Sequence, residues 1–89
     1  MLTLPSILTH AEAAKFARGL GALVQAQGPA VVADASALQT FDSSALAILL
    51  ACRREALTAG KDFSVKDLPA RLRQLAGLYG VAELIPATV

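Results

Sequence analysis

The sequence predicts a small α/β domain in which a mostly parallel or mixed β-sheet is packed by α-helices. Three observations carry that reading. Short apolar runs alternate with longer stretches of three-and-four apolar spacing, the order of a strand–helix–strand chain. The run Ala30-Val31-Val32-Ala33 ends in Asp34, and Asp42-Ser43-Ser44 then opens an almost wholly apolar helical stretch. Gly28-Pro29, Ala59-Gly60 and Tyr79-Gly80 fall where one element must give way to the next.

The 89 residues support a single domain, 1–89, that buries roughly 60–65% of its unfolded surface. Hydrophobic residues make up 55% and aromatic ones 4%, with no Trp, so the core is built of Leu, Val and Ala. So high an apolar share in so small a domain points to apolar area held against a partner. A net charge of +1 argues against nonspecific nucleic-acid binding. The single Cys excludes an internal disulfide and suits a reducing compartment. MLTLPSILTHAE lacks the basic start and long apolar core of a signal peptide, and no apolar run is long enough to span a membrane. A cytoplasmic location is the expectation.

Leu2 to Leu4, resuming at Ile7-Leu8, reads as a short strand interrupted by Pro5, which suits a sheet edge. Thr9 and Glu12 have the spacing of a capping box that starts a helix running to about Gln27. Its buried stripe is Ala13, Phe16, Ala17, Leu20 and Val24, with Leu23 beside it. Gly19 and Gly21 loosen that helix. His10, in its first turn, reads as solvated.

Ala30 to Asp34 forms the central strand, and the loop behind it is anchored by Leu38 and Phe41. In the helix after Asp42-Ser43-Ser44, Leu46, Leu49, Leu50 and Leu57 form a core stripe widened by Ile48, Cys52 and Ala56. Cys52 therefore reads as core. Lys61 to Lys66 is a strand with Phe63 and Val65 inward. Asp67 is the candidate cap of a last helix, with Pro69 in its first turn and Leu68, Leu72, Leu75 and Ala76 as its core face. Val81, Leu84 and Ile85 pack a final short element, and residues from Pro86 onward fray.

The chemistry-bearing residues are few. No phosphate-cradling GxxxxGK[ST] loop occurs, and His10 has no second ligand near it for a metal. No Ser–His–acid set is supported, so the chain reads as a non-enzyme. Asp34 at its strand end reads as bonding loop N–H groups rather than accepting a phosphoryl group. From residue 51 onward there are six Lys/Arg against four Asp/Glu, an ordinary solvated surface or a match for an acidic protein.

Asp42-Ser43-Ser44 admits two readings. The plain one is capping, because short polar side chains satisfy the free N–H groups of a helix start. The sharper one is a hydroxyl displayed at a positive helix end, where a phosphate is tolerated or a partner docks. The following face favours docking. Ala47 and Ala51 stand where a surface helix normally carries polar side chains, before Arg54, Glu55 and Thr58 restore them.

VVADASALQTFDSSALAILLACRR resembles the signature of STAS domains, the fold of the anti-sigma factor antagonists. Asp34, Leu38, Phe41, Asp42, Ser43, Ser44 and Leu46 fall on that pattern in order. LPARLRQLAGLYGVAELI is similar to the family's next helix and its exit, and the DSSALAILL variant is most similar to MlaB-type STAS domains. The resemblance covers residues 30–86 well and the start loosely. It implies a STAS (SpoIIAA-like) fold with its first strand missing or supplied by a neighbour, and hence an open sheet edge through which two copies could pair.

The resemblance further implies a subunit that binds the MlaF-like ATPase of a phospholipid ABC transporter, and through it the permease. That system sits at the inner membrane and maintains outer-membrane lipid asymmetry. The contact surface would be Asp42, Ser43, Ser44, Ala47 and Ala51, with no cofactor of its own, since ATP and Mg²⁺ would belong to the ATPase. The alternative implied is an anti-sigma factor antagonist switched by a serine kinase, with Ser43 as phosphoacceptor. Ala45 replaces the family's usual Gly, which weighs against kinase regulation and leaves docking intact.

Overall fold

A computed structural model describes residues 1–88. The chain forms β1 (Leu2–Thr3), β2 (Ile7–Leu8), α1 (His10–Arg18), α2 (Leu20–Gln25), β3 (Ala30–Asp34), β4 (Thr40–Phe41), α3 (Ser44–Thr58), β5 (Asp62–Lys66) and α4 (Ala70–Leu78). A 3-10 turn, Ala82–Leu84, follows. The main sheet has the order β1-β3-β5 and a second, two-stranded sheet joins β2 to β4. All these pairings are parallel, with Leu2 opposite Ala33 and Ala33 opposite Val65. Of the two sheet types expected, the parallel one is found. Parallel neighbours need crossovers, which the intervening helices provide.

The short β1 forms one edge of the sheet, and Pro5 ends it as the sequence suggests. The opposite edge is not bare. Val65 N–H donates to the Pro86 carbonyl (2.8 Å), Thr88 N–H to the Val65 carbonyl (2.9 Å), and the Thr88 hydroxyl to that of Ser64 (2.8 Å). The segment from Pro86 to Thr88 is therefore tied down rather than frayed, and Val89 lies outside the described residues.

α3 is the central helix: it packs against β3, β5, α1, α2 and α4. Its fully buried side chains are Ala45, Leu49, Cys52 and Ala56. Leu46 and Ile48 are buried as well, so the expected core face holds, with Ala45 added and Leu57 lost from it. Leu57, near the end of the helix, is 50% exposed. Leu23, on α2, is likewise exposed. Leu8 from β2, Leu72 from α4 and Ile85 behind the 3-10 turn add to the core, and among the described residues no polar side chain is fully buried.

The ends of the helices explain their lengths. Gly19 divides the expected single helix into α1 and α2. Gly60 and Gly80 have φ of 73° and 72°, the left-handed conformation that glycine adopts without steric penalty. Behind them Lys61 N–H reaches the Ala56 carbonyl (2.8 Å) and Val81 N–H the Ala76 carbonyl (2.9 Å), closing α3 and α4 with the same wrapped-back turn. The Lys61 ammonium donates to the carbonyls of Val24 (2.9 Å), Gln25 (3.3 Å) and Gln27 (2.6 Å), placing positive charge at the end of α2.

Two expected caps are replaced. Thr9 makes no side-chain cap bond, so the Thr9–Glu12 box does not form, and Glu12 pairs with Lys15 instead (3.5 Å). Asp67 does not cap α4: Pro69 takes that position, and Asp67 turns the chain with φ of 55°. Asp is one of the few residues other than Gly that accept this conformation.

Candidate functional site

The loop from β3 to α3 builds the site. Asp34 Oδ1 accepts the N–H of Ser36 (3.0 Å), which starts the turn as its sequence position suggests. That bond, then the charge of Lys66, holds its carboxyl below the usual carboxylate range. Leu38 is buried, and Phe41 is half-buried under the Arg71 guanidinium, 5.2 Å from the ring centre. These anchors deliver Asp42 to the start of α3.

Asp42 serves two helices. Its Oδ1 accepts the N–H of Ser44 (2.8 Å) and its Oδ2 the N–H of His10 (3.2 Å). One carboxylate thus sits at the positive ends of α1 and α3 together. The Ser44 bond first, and the His10 bond less, keep its carboxyl below the usual range. A lowered carboxylate pKa contributes stability that is complete above the unfolded value and is lost as pH falls through the folded one. Asp42→Asn should therefore flatten the loss of thermal stability as pH falls below about 4, and lower the melting temperature slightly at pH 7. Melts at a series of pH values check both.

With their N-termini pinned at one carboxylate, α1 and α3 run side by side in the same direction. Between them lies an open groove of about 310 Å³ lined by His10, Ala13, Ala14, Ala17, Ser44, Ala47, Ile48 and Ala51. On each wall the lining spans eight residues, His10 to Ala17 and Ser44 to Ala51, or about 10 Å of helix. Ala47 is exposed as the face pattern predicts, whereas Ala51 is half-buried and packs against the core. Asp42 and Ser43 are exposed at the head of the groove, and Ser43, the residue before α3, makes no side-chain cap bond. Ala45 points the other way, into the core, so the residue that replaces the family's Gly does not line the groove.

The structure brings Ser44, Ala47 and Ala51 into one wall and places Asp42 and Ser43 beside it. The α1 wall is the part that residue-by-residue reading missed. His10 is exposed as expected, yet it lines the groove; Ala17, expected in the core, is exposed there too. The available signal was the alanine density of HAEAAKFA, matched by that of SALAILLA. Cys52 lies at the core with its thiol pushed up to about 11 by burial and, secondarily, by Glu55, so it is inert at neutral pH. Among the described residues no group of three His, Cys, Asp or Glu could hold a metal, and no helix is long and apolar enough to cross a membrane.

A parallel α/β sheet, an Asp-ended strand, and an Asp-capped helix edged by small residues are the parts expected of a STAS domain. The model of the family described as Mlab, STAS domain, matches residues 1–86, and the chain belongs to that family. No curated protein matches the chain. STAS domains are generally non-catalytic.

Proposed function

We propose that this chain is a non-enzymatic STAS subunit that binds the cytoplasmic ATPase of a phospholipid ABC transporter and supports its assembly or activity. The transporter's permease is reached through the ATPase, and the system maintains outer-membrane lipid asymmetry. The observation that carries this reading is the alanine-walled groove beside Asp42-Ser43-Ser44. Ala14, Ala17 and Ala47, exposed small side chains on two aligned helices, let another protein surface approach closely. The MlaB description of the family supports the choice of partner. ATP and Mg²⁺ are the partner's, and the chain is held at the inner membrane through the transporter.

Ser43 is exposed at the head of this surface. Ser43→Arg and Ser43→Asp should each weaken ATPase binding by about tenfold or more while leaving the circular dichroism spectrum unchanged. Calorimetry with the purified ATPase checks this, and unchanged affinity for both variants would remove Ser43 from the contact.

The free Ser43 hydroxyl also favours a second reading, a phosphoswitch that engages a serine kinase or anti-sigma factor. A phosphate adds about −1.5 to −2 charge beside Asp42 and would repel an acidic partner. Incubation with ATP and a candidate kinase, followed by intact mass, separates the two readings.

A further inference from the structure

The outer edge of β5 is covered by a segment that belongs to no strand. Val65 N–H donates to the Pro86 carbonyl (2.8 Å) and the Val65 carbonyl accepts the Thr88 N–H (2.9 Å), a parallel bridge centred on Ala87. We propose that Pro86–Thr88 is an edge guard, a strap that keeps β5 from pairing with the β5 of a second copy of this chain.

Backbone alternation fixes what the strap covers and what it leaves. Asp62 N–H donates to the Pro29 carbonyl and the Lys66 carbonyl accepts the Ala35 N–H, so these residues turn their backbone groups toward β3. Phe63 and Val65, one residue out of step, turn theirs to the outer edge. The strap meets Val65 alone. Among the described residues no backbone group from outside the β3–β5 ladder reaches Phe63.

Without the strap, that edge is self-complementary. A twofold axis sets β5 antiparallel to the β5 of the second copy. With Ser64 opposite Ser64, Phe63 of each copy exchanges both of its backbone bonds with Val65 of the other. The bond count then decides which arrangement holds. Each copy gives up its two backbone bonds to the strap and regains two across the axis. It also loses the Thr88–Ser64 hydroxyl bond. Pairing therefore gains no hydrogen bond to offset the freedom lost on association, and the strap wins.

The strap is itself a poor template, because alternation leaves only Ala87 to face outward. Fully buried Ile85 anchors it on one side, yet Pro86, Ala87 and Thr88 are all exposed. Hydrogen bonds rather than burial hold it in place, so removing one donor shifts the balance.

The test is sedimentation equilibrium of the full chain, joined to amide hydrogen exchange read by NMR. Thr88→Pro removes the N–H and the hydroxyl, and the same change combined with Pro86→Gly and Ala87→Gly loosens the whole strap. Both variants should self-associate about tenfold or more tightly than the parent, with the Phe63 amide becoming protected in the dimer. Thr88→Ala keeps the N–H and should behave as the parent does, monomeric and with a fast-exchanging Phe63 amide. Association of both strap variants no tighter than the parent's would overturn the proposal. So would a dimer in which the Phe63 amide still exchanges freely, since the copies would then meet elsewhere. A parent chain that already pairs with Phe63 protected would show that the strap guards nothing.

Discussion

Ala47→Arg should abolish ATPase binding, with a loss of roughly a hundredfold or more in affinity. The position is exposed and lies on one wall of the groove. Arg is a good helix former, so the substitution costs α3 little. Its long charged side chain, however, occupies the space a partner must fill and places a charge against apolar contact area. Losses of this size are typical at the centre of an interface. The discriminating readout is the pairing of lost binding with an unchanged melting temperature. An Ala47→Arg chain that still binds the ATPase would move the interface elsewhere on the surface.

The second large effect is on stability, and it tests where the core face of α3 lies. Leu49 is fully buried, so Leu49→Ala should cost about 3–4 kcal/mol. A domain of this size has about 5–10 kcal/mol in all, so a large share of its stability goes with that one side chain. Leu57→Ala should change stability by about 0.5 kcal/mol or less, because half of Leu57 is already in water. Urea denaturation of the two variants resolves the difference. Similar losses for both would mean that the core face of α3 extends to Leu57.

That contrast shows what sequence patterning carries and where it stops. Periodicity and cap chemistry located the Asp42-Ser43-Ser44 helix start, the central strand ending at Asp34, and the glycine stops at Gly60 and Gly80. All of these depend on contacts within a few residues. The edge of the α3 core face is less local: Leu46, Ile48, Leu49, Cys52 and Ala56 are buried as their spacing predicts, but Ala45 joins them and Leu57 does not. The Thr9–Glu12 box, read from local spacing, does not form. Glu12 turns to Lys15, and the first N–H of α1 is met by a carboxylate 32 residues away, Asp42.

The same distance effect hid part of the site. Ser44, Ala47 and Ala51 were legible because they share one helix with the recognisable motif. Ala14 and Ala17 became part of the surface only when Asp42 aligned α1 with α3. Lys61 was an unremarked residue at the start of a strand, and its ammonium ties β5 to the end of α2 across 37 positions of sequence. Side chains that join distant elements leave no local pattern.

The most direct test of the proposed role is a tagged pull-down from the native host, with the bound proteins identified by mass spectrometry and the Ala47→Arg chain run in parallel. The account predicts recovery of an ABC ATPase together with its permease by the parent chain, and loss of both with Ala47→Arg. Recovery of a serine kinase or anti-sigma factor in their place would contradict it and make Ser43 a switch.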